Sequence, residues 1–421
     1  MQPHFRPSTL INALLDRAFG SALPPDVRKN MLIELNSSIA YGVFTAACIQ
    51  FIPVVLRRLG ASTDQLALYS AQTYFGAILT TFSVMLIGQR QPKGFVLFFW
   101  TIARSLFLLF ALINDVRWAL LLTAIFWAFE SFPSPAYTRM VQILYPNQIR
   151  GQVISIVRLG KAGAVLLIAP LAGWVLDHWG YQLLFPIASL LALLSTWIFG
   201  RMKVEERTSA SNPIHAFADL WQIVRKNRPF TVHLWGVIFY GTGAMMGYAL
   251  YPVVQVDRLN LSYGEVGWLS MAQSITWLVG LLIWGRTIDR KGALWTLRAN
   301  YLAAFFVPLT YIWATSAWTL LPAFIAQGVV SAGVDMAFLN VCLQMAAPGK
   351  MLEYSALQST VIGIRGIAAS FLGAGMVRIG FPETTVFACG ALLILISWWI
   401  IGQIRFMPQV DTIYVDKVYK G

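Results

Sequence analysis

Residues 118–176 read WALLLTAIFWAFESFPSPAYTRMVQILYPNQIRGQVISIVRLGKAGAVLLIAPLAGWVL. Two long apolar segments flank a short polar turn at residues 146–152. The first segment carries Glu130, and the second carries Arg158 and Lys161. At roughly 1.5 Å of rise per helical residue, Glu130 lies ~20 Å before the turn and Lys161 ~17 Å after it. The stretch therefore predicts a hairpin of two membrane helices with an acid and a base at depth.

The second half of the chain repeats these buried charges. Asp335 is the counterpart of Glu130, and Arg365 is the counterpart of Lys161. Asp335 lies ~17 Å before the turn at residues 346–352 and Arg365 ~20 Å after it, at the same helical rise. A charged side chain at the centre of a membrane helix costs about 2.5–3.5 kcal/mol on insertion scales, so the repetition points to function.

Two interpretations of these charges stay open. In the first, the acids exchange protons in a polar cavity, and the bases hold an anionic group or neutralise the acids. In the second, Glu130 with Lys161 or Arg158, and Asp335 with Arg365, form ion pairs that only lock helices together. Buried ion pairs add little stability over apolar packing, which favours the cavity. We therefore predict that proton coupling or substrate binding involves Glu130, Asp335, Arg158, Lys161 and Arg365.

Prolines follow the first acid closely. Pro133 and Pro135 would free the helical carbonyls near residues 129 and 131. Broken backbone at membrane depth is tolerated where it lines a cavity or is covered by protein. This observation supports a cavity beside Glu130, although a plain structural kink remains the alternative.

Composition identifies the class of protein. The chain has 421 residues, of which 57% are hydrophobic and 12% charged, about half the charged share of soluble domains. Apolar runs of roughly 20 residues recur, and each can cross ~30 Å of hydrocarbon as a helix. The net charge of +13 is concentrated in alternate loops, which is the positive-inside pattern of a membrane protein rather than a nucleic-acid-binding surface. We expect an all-α membrane protein whose partner is the lipid bilayer and not nucleic acid.

The apolar runs predict twelve transmembrane helices in two pseudo-symmetric six-helix bundles. Twelve spans place both termini on one side, and the basic loops place that side in the cytoplasm. A multi-pass protein of the cytoplasmic membrane follows. The predicted divisions are a cytoplasmic segment with an interfacial helix, or a disordered tail, over 1–30; the first bundle over 31–201; a cytoplasmic linker with an amphipathic helix over 202–230; the second bundle over 231–404; and a cytoplasmic tail over 405–421.

An internal repeat supports the two bundles. Pro53-Val54-Val55 and Pro252-Val253-Val254 are each followed by an arginine and then by Ala-Gln, at a separation close to 200 residues. Duplicated bundles are a transporter architecture in which the substrate site lies at the interface of the repeats, near mid-membrane. Four polar residues of the predicted spans are candidates for hydrogen bonding in that cavity: Gln72, Gln273, Tyr240 and Asn340.

The chain carries no pattern typical of an enzyme. It has no phosphate-binding glycine loop with a lysine, and no Ser/His/Asp set is evident. The three cysteines fall in apolar spans without the spacing of metal ligands. We therefore expect no catalytic residues, no metal and no cofactor.

The loop between the eighth and ninth spans resembles a family signature. It reads Gly285-Arg286-Thr287-Ile288-Asp289-Arg290-Lys291-Gly292, which is similar to the glycine, aspartate, arginine, glycine loop of the major facilitator superfamily. In that family the aspartate and arginines latch helix ends on the cytoplasmic face. The resemblance implies a cytoplasmic gate formed by Gly285, Asp289, Arg290 and Gly292. The equivalent loop of the first half, residues 88–94, lacks the aspartate.

The resemblance also implies alternating access around a cavity lined by spans one, four, seven and ten. We expect a monomeric secondary active transporter that moves a small organic solute across the cytoplasmic membrane, coupled to protons. Two alternatives remain open. One is an uncoupled facilitator or an exchanger of an anionic solute, and the other is a non-transporting receptor or assembly factor with the same fold.

Overall fold

The structure, a computed structural model, describes residues 23–87, 91–204, 223–346 and 350–404. Within these ranges the secondary structure is helical and includes no strand. The predicted interfacial helix and the tail after residue 404 lie outside the described residues, as does most of the amphipathic linker helix, of which residues 223–226 are described and helical. The all-α membrane fold predicted from composition is confirmed.

We number the helical segments in chain order. The first half contains α1 (Pro25–Arg58), α2 (Thr63–Ile87), α3 (Pro92–Ala111), α4 (Val116–Leu144), α5 (Asn147–Trp179) and α6 (Tyr181–Phe199). The second half begins with α7, which comprises Arg228–Met245, Tyr251–Val253 and a π-helical turn, Val254–Arg258. It continues with α8 (Tyr263–Lys291), α9 (Ala293–Trp313), α10 (Ala317–Met345), α11 (Met351–Arg378) and α12 (Glu383–Gly402).

Most of these segments suit a membrane. In the described part of the chain, 9 helices are long and apolar enough to cross a bilayer: α1, α3, α4, α5, α6, α8, α10, α11 and α12. The membrane protein predicted from composition is thus supported by length and apolarity together. That α2, α7 and α9 also span the bilayer stays a prediction.

The two halves have the same internal packing. In the first half, α1 packs on α5 and α6, α2 on α4, and α3 on α4 and α6. In the second, α7 packs on α11 and α12, α8 on α10, and α9 on α10 and α12. Each pair of the first half has its counterpart six segments later. The predicted pseudo-symmetry of two bundles is therefore present in the packing.

The halves meet mainly through two helix pairs, α5 with α8 and α2 with α11, and the ends of α1 and α7 also touch. The repeat relates these two contacts to each other. At the first of them, small residues let the backbones approach closely, as is common in membrane helices. A Cβ atom on Gly173 would lie 2.3 Å from the carbonyl oxygen of Tyr263, and one on Gly267 would lie 2.6 Å from that of Ala169.

Polar contacts between the halves cluster where α5 ends and α8 begins. Asp177 accepts hydrogen bonds from the backbone N–H groups of Tyr263 (2.8 Å) and Gly264 (2.7 Å). Its carboxylate therefore caps the positive end of α8 from the other half of the molecule. Beside it, Arg58 donates to the carbonyl oxygen of Leu261.

Two ion pairs complete this surface, which we call the closed end. Arg57, at the end of α1, pairs with Asp257 at the end of α7. Arg378, at the end of α11, lies 3.5 Å from Asp64 at the start of α2. Together with Arg58, Asp177 and the start of α8, these residues join the halves at one end of the bundle.

We expect the close approach of α5 and α8 to be sensitive to added volume. Gly173→Ala should lower the free energy of unfolding by about 1–3 kcal/mol, because its methyl group meets backbone that cannot rotate away. Gly163→Ala on the same helix is the control, since nothing lies within 4 Å of the added atom. Thermal unfolding of both purified variants measures the difference, and equal melting temperatures would contradict the close packing.

Candidate functional site

A cavity of about 380 Å³ lies between the halves. Its lining comes from α1, α5, α8 and α10: Gln50, Arg158, Lys161, Ala162, Val165, Gln273, Ser274, Trp277, Ser331 and Asp335. Lys161 precedes Asp177 of the closed end by 16 residues on α5, which is roughly 24 Å along the helix. The cavity is thus deep in the molecule, and the structure brings together three of the five charged residues predicted from the sequence.

Asp335 projects from α10 into this cavity and is exposed. Its carboxylate faces Arg158 and Trp277 of the same lining. In the described ranges it forms no ion pair within 4.0 Å, so the alternative pairing of Asp335 with Arg365 is wrong. The reason is geometric, because Arg365 turns from α11 toward α7 and not toward α10.

Glu130 has a different partner from those considered in the sequence. Arg104 of α3 binds its carboxylate through two nitrogens, with Nη2 at 3.1 Å from Oε1 and Nε at 3.3 Å from Oε2. Arg104 is only 2% exposed. The alternative pairing of Glu130 with Lys161 or Arg158 is therefore wrong, and the acid does not belong to the cavity lining.

Arg104 is held by polar and aromatic groups of the first half. It donates to the hydroxyls of Ser195 (3.2 Å) and Thr196 (2.9 Å) on α6. Its guanidinium also lies 4.3 Å from the ring centroid of Tyr41 and 4.5 Å from that of Trp100. The Arg104–Glu130 pair is thus a fully partnered network inside one bundle, and sequence reasoning left Arg104 without a role because it lies on neither arm of the hairpin.

The break in α4 occurs where the prolines predict it. The helix stops at Ser131 and resumes at Ser134, and the indole N–H of Trp100 donates to the carbonyl oxygen of Glu130 at 3.3 Å. The carbonyl of Glu130, which lies at the break, thereby accepts a hydrogen bond from α3. No residue of the break, 131–135, belongs to the cavity lining, which supports the structural alternative for the kink.

In each half, a tyrosine followed by a glycine lies beside a predicted basic residue, Lys161 or Arg365. The Nζ atom of Lys161 lies 4.7 Å from the ring centroid of Tyr41, which precedes Gly42 on α1. In the second half the guanidinium carbon of Arg365 lies 5.9 Å from the ring centroid of Tyr240, which precedes Gly241 on α7. The two pairs have the same separation in sequence as Pro53 and Pro252. This signal was present in the repeat and sequence reasoning missed it.

The four predicted polar residues divide into two groups. Gln273 lines the cavity, and Tyr240 lines a smaller chamber of about 60 Å³ that adjoins it through Gln273 and Ser331. Gln72 instead donates to the carbonyl oxygen of Leu120 at 3.0 Å, and Asn340 to that of Met336 at 2.8 Å. The amide groups of the latter two bind helix backbone, and neither residue lines the cavity or the chamber.

The predicted gate lies at the end of α8 remote from the closed end. Gly292 follows the last residue of α8 with φ at 84°, a conformation that glycine adopts without strain. Asp289 and Arg290 are exposed, and Gly285 lies one turn earlier. Within the described ranges no ion pair is formed by Asp289, so the latch remains a prediction.

Metal binding has no visible basis in the described residues. No group of three or more histidine, cysteine, aspartate or glutamate side chains there is placed to hold an ion. Cys48 and Cys342 are buried, and Cys389 is partly buried. The chemistry of the cavity is therefore that of its charged and hydrogen-bonding side chains.

We expect Arg104 and Glu130 to be strongly coupled. Arg104→Met should lower the free energy of unfolding by about 3–5 kcal/mol, because it leaves a buried carboxylate without a partner. The double variant with Glu130→Gln should recover much of this loss. Denaturation of the single and double variants gives the coupling free energy. The exposed pair Arg378 and Asp64 is the matched control, with an expected coupling of at most about 1 kcal/mol; additive effects at Arg104 and Glu130 would contradict the prediction.

Comparisons with known proteins agree with this architecture. The crystal structure of the nucleoside transporter NupG (D323A mutant) has a TM-score of 0.71 and 10% sequence identity, covering 90% of this chain and 100% of that chain. A bacterial homologue of the human lysosomal transporter Spinster, in an inward-facing and unoccupied conformation, has a TM-score of 0.60 and 14% identity, covering 91% and 95%. No curated protein matches the sequence.

At these identities the two structures show a shared fold and nothing more. The sequence itself matches the family model of the Major Facilitator Superfamily over residues 8–262. That match covers more than half of the 421 residues. The chain therefore belongs to the Major Facilitator Superfamily.

Proposed function

We propose that this protein is a secondary active transporter that moves a small organic solute across the cytoplasmic membrane by alternating access, coupled to protons. The observation that carries the proposal is the cavity between the halves, whose lining includes Arg158, Lys161 and Asp335. Its volume of about 380 Å³ suits a small organic molecule. A receptor or assembly factor would not need a charged, solute-sized cavity at the interface of the repeats.

Alternating access is supported by the kind of contact at the closed end. The halves are joined there by a helix cap at Asp177 and by ion pairs at helix ends, and Arg378 and Asp64 are exposed. Exposed ion pairs contribute about 0–1 kcal/mol each, so these pairs add little to the free energy of opening this end. The pseudo-equivalent contacts α5–α8 and α2–α11 then provide two surfaces on which the bundles can rock.

We assign the closed end to the outer face and the predicted Asp289–Arg290 gate to the cytoplasmic face. Both termini are then cytoplasmic, in agreement with the distribution of basic loop residues. In this arrangement, opening of the closed end would be accompanied by closure at the end of α8 that carries Gly285 and Gly292.

For proton coupling we propose Asp335. It is the acid of the cavity lining, it has no ion pair in the described residues, and its surroundings would change if the cavity opened to a different side. Protonation of a carboxylate follows such changes in hydration and neighbouring charge. Glu130 is bound by Arg104 inside the first bundle, and we propose a structural role for that pair.

Transport in proteoliposomes tests this proposal. A thermal-shift screen of metabolites and drugs first identifies a stabilising solute, whose uptake is then measured with and without an inside-alkaline pH gradient. The gradient should accelerate uptake by the native protein. Asp335→Asn should remove this acceleration but retain exchange of labelled for unlabelled solute, because exchange needs no net proton movement.

Glu353→Gln, in the first turn of α11 and outside the cavity lining, is the matched control and should behave as the native protein. If the pH gradient does not change the rate of uptake by the native protein, the protein is a facilitator or an exchanger. Gradient-driven uptake that survives in Asp335→Asn would exclude this residue as the coupling group.

A further inference from the structure

Arg365 is a base without a balancing acid. Its Nε and Nη1 atoms are buried and have no hydrogen-bond partner in the described chain. The contact that its guanidinium does make is with the ring of Tyr240, at 5.9 Å from the centroid. Its counterpart in the first half, Lys161, also lies beside a tyrosine ring but lines the main cavity.

The guanidinium of Arg365 packs directly against the backbone of α7 at Gly241. A Cβ atom on Gly241 would lie 0.4 Å from the Nη1 atom of Arg365, so the side chain occupies the space that a side chain on α7 would need. On its other side, the ring of Tyr74 packs against Gly366, and the Tyr74 hydroxyl lies 2.6 Å from the sulfur of Met245. Packing and the ring of Tyr240 thus hold the guanidinium in place.

Retaining an unpaired cation at this depth is unfavourable unless a partner arrives. Desolvation penalises the charged form of any buried group, and an unsatisfied buried charge is a larger penalty than a satisfied one. A second donor near it is also unsatisfied, since the buried hydroxyl of Tyr301, whose ring stacks on Tyr240 at 4.1 Å, has no hydrogen-bond partner in the described chain. Unsatisfied donors beside a substrate chamber indicate a missing acceptor.

We infer that the transported solute is an organic anion and that Arg365 binds its carboxylate or phosphate group. This inference rests on the proposed transport function. A guanidinium offers several N–H donors in a planar arrangement that matches both oxyanions. The small chamber lined by Tyr240 shares Gln273 and Ser331 with the main cavity, whose volume of about 380 Å³ would hold the body of the solute.

The charges of the main cavity agree with an anion. Its lining contains the two bases Arg158 and Lys161 against the single acid Asp335. When Asp335 is protonated, the lining carries two positive charges and no negative one. An anion and a proton therefore favour each other's binding in this cavity, which links solute recognition to the proposed coupling.

The variant that tests the inference should fold. Arg365→Met removes an unpaired buried charge and keeps a side chain of similar length, so the melting temperature of the ligand-free protein should stay the same or rise. Arg298→Met is the matched control. Arg298 is also partly buried with an unsatisfied Nε, but it packs on Trp398 at 4.2 Å and beside Gly402, neither of which lines a chamber, whereas Arg365 contacts Tyr240, which lines the smaller one.

The experiment measures thermal unfolding of the purified full chain with benzoate, phenyl phosphate or the neutral benzamide, at constant ionic strength. At least one of the two anions should raise the melting temperature by a few degrees, and benzamide should not. Which anion is effective distinguishes a carboxylate from a phosphate site. The shift should disappear in Arg365→Met and in Gly241→Ala, whose methyl group displaces the guanidinium, and persist in Arg298→Met and in Gly375→Ala, where the added atom has open space.

Three results would overturn the inference: equal stabilisation by benzamide, no stabilisation by either anion, or an anion-dependent shift that survives in Arg365→Met. These results are independent of the transport assay. Gradient-driven uptake of a neutral solute would leave the proposed function intact and remove the anion site. Anion binding at Arg365 without any uptake would support the anion site and contradict the proposed transport function.

Discussion

The structure depends on one constraint, which is that an ionisable side chain inside a bilayer needs either a partner or water. The chain meets this constraint in two ways. Arg104 binds Glu130 and the hydroxyls of α6, and this network stays inside one bundle. Arg158, Lys161 and Asp335 instead share a cavity between the bundles. The first arrangement joins helices within a bundle, and the second leaves charged groups facing the space between the bundles.

The two halves share the same helix packing, but their charged residues have different partners. The pairings of helices repeat from one half to the other, and so does the Tyr-Gly pair beside each base. The acid of the first half has acquired Arg104, whereas the acid of the second half faces the cavity. In physical terms, the acid of the first bundle is neutralised by Arg104, and its bases Arg158 and Lys161 line the cavity, whereas the second bundle carries both an acid and a base without an ion pair in the described residues. This asymmetry makes α5, α10 and α11 the elements on which solute and proton recognition would depend.

Much of the site was predictable because depth along a helix follows from counting residues. The hairpin and its repeat in the second half placed five charged residues near mid-membrane, and three of them line the cavity. The partner of Glu130 was not predictable in this way. Arg104 reaches it from α3, and residue counting gives the height of a side chain but not the neighbouring helix that it faces. Gln72 shows the same limit, since it shares its motif with Gln273 yet binds the backbone of α4.

The sequence by itself determined the class of the protein, its helical spans, its duplication and the family resemblance, because apolar length, loop charge and repeated motifs are properties of the linear chain. The tertiary structure decided which charges pair, which remain open, and which end of the bundle is closed. Asp177 illustrates the difference, since nothing local marks it as the cap of a helix that begins more than eighty residues later. Such contacts exist only once two bundles pack, because the orientation of each helix about its axis is set by all of its neighbours together.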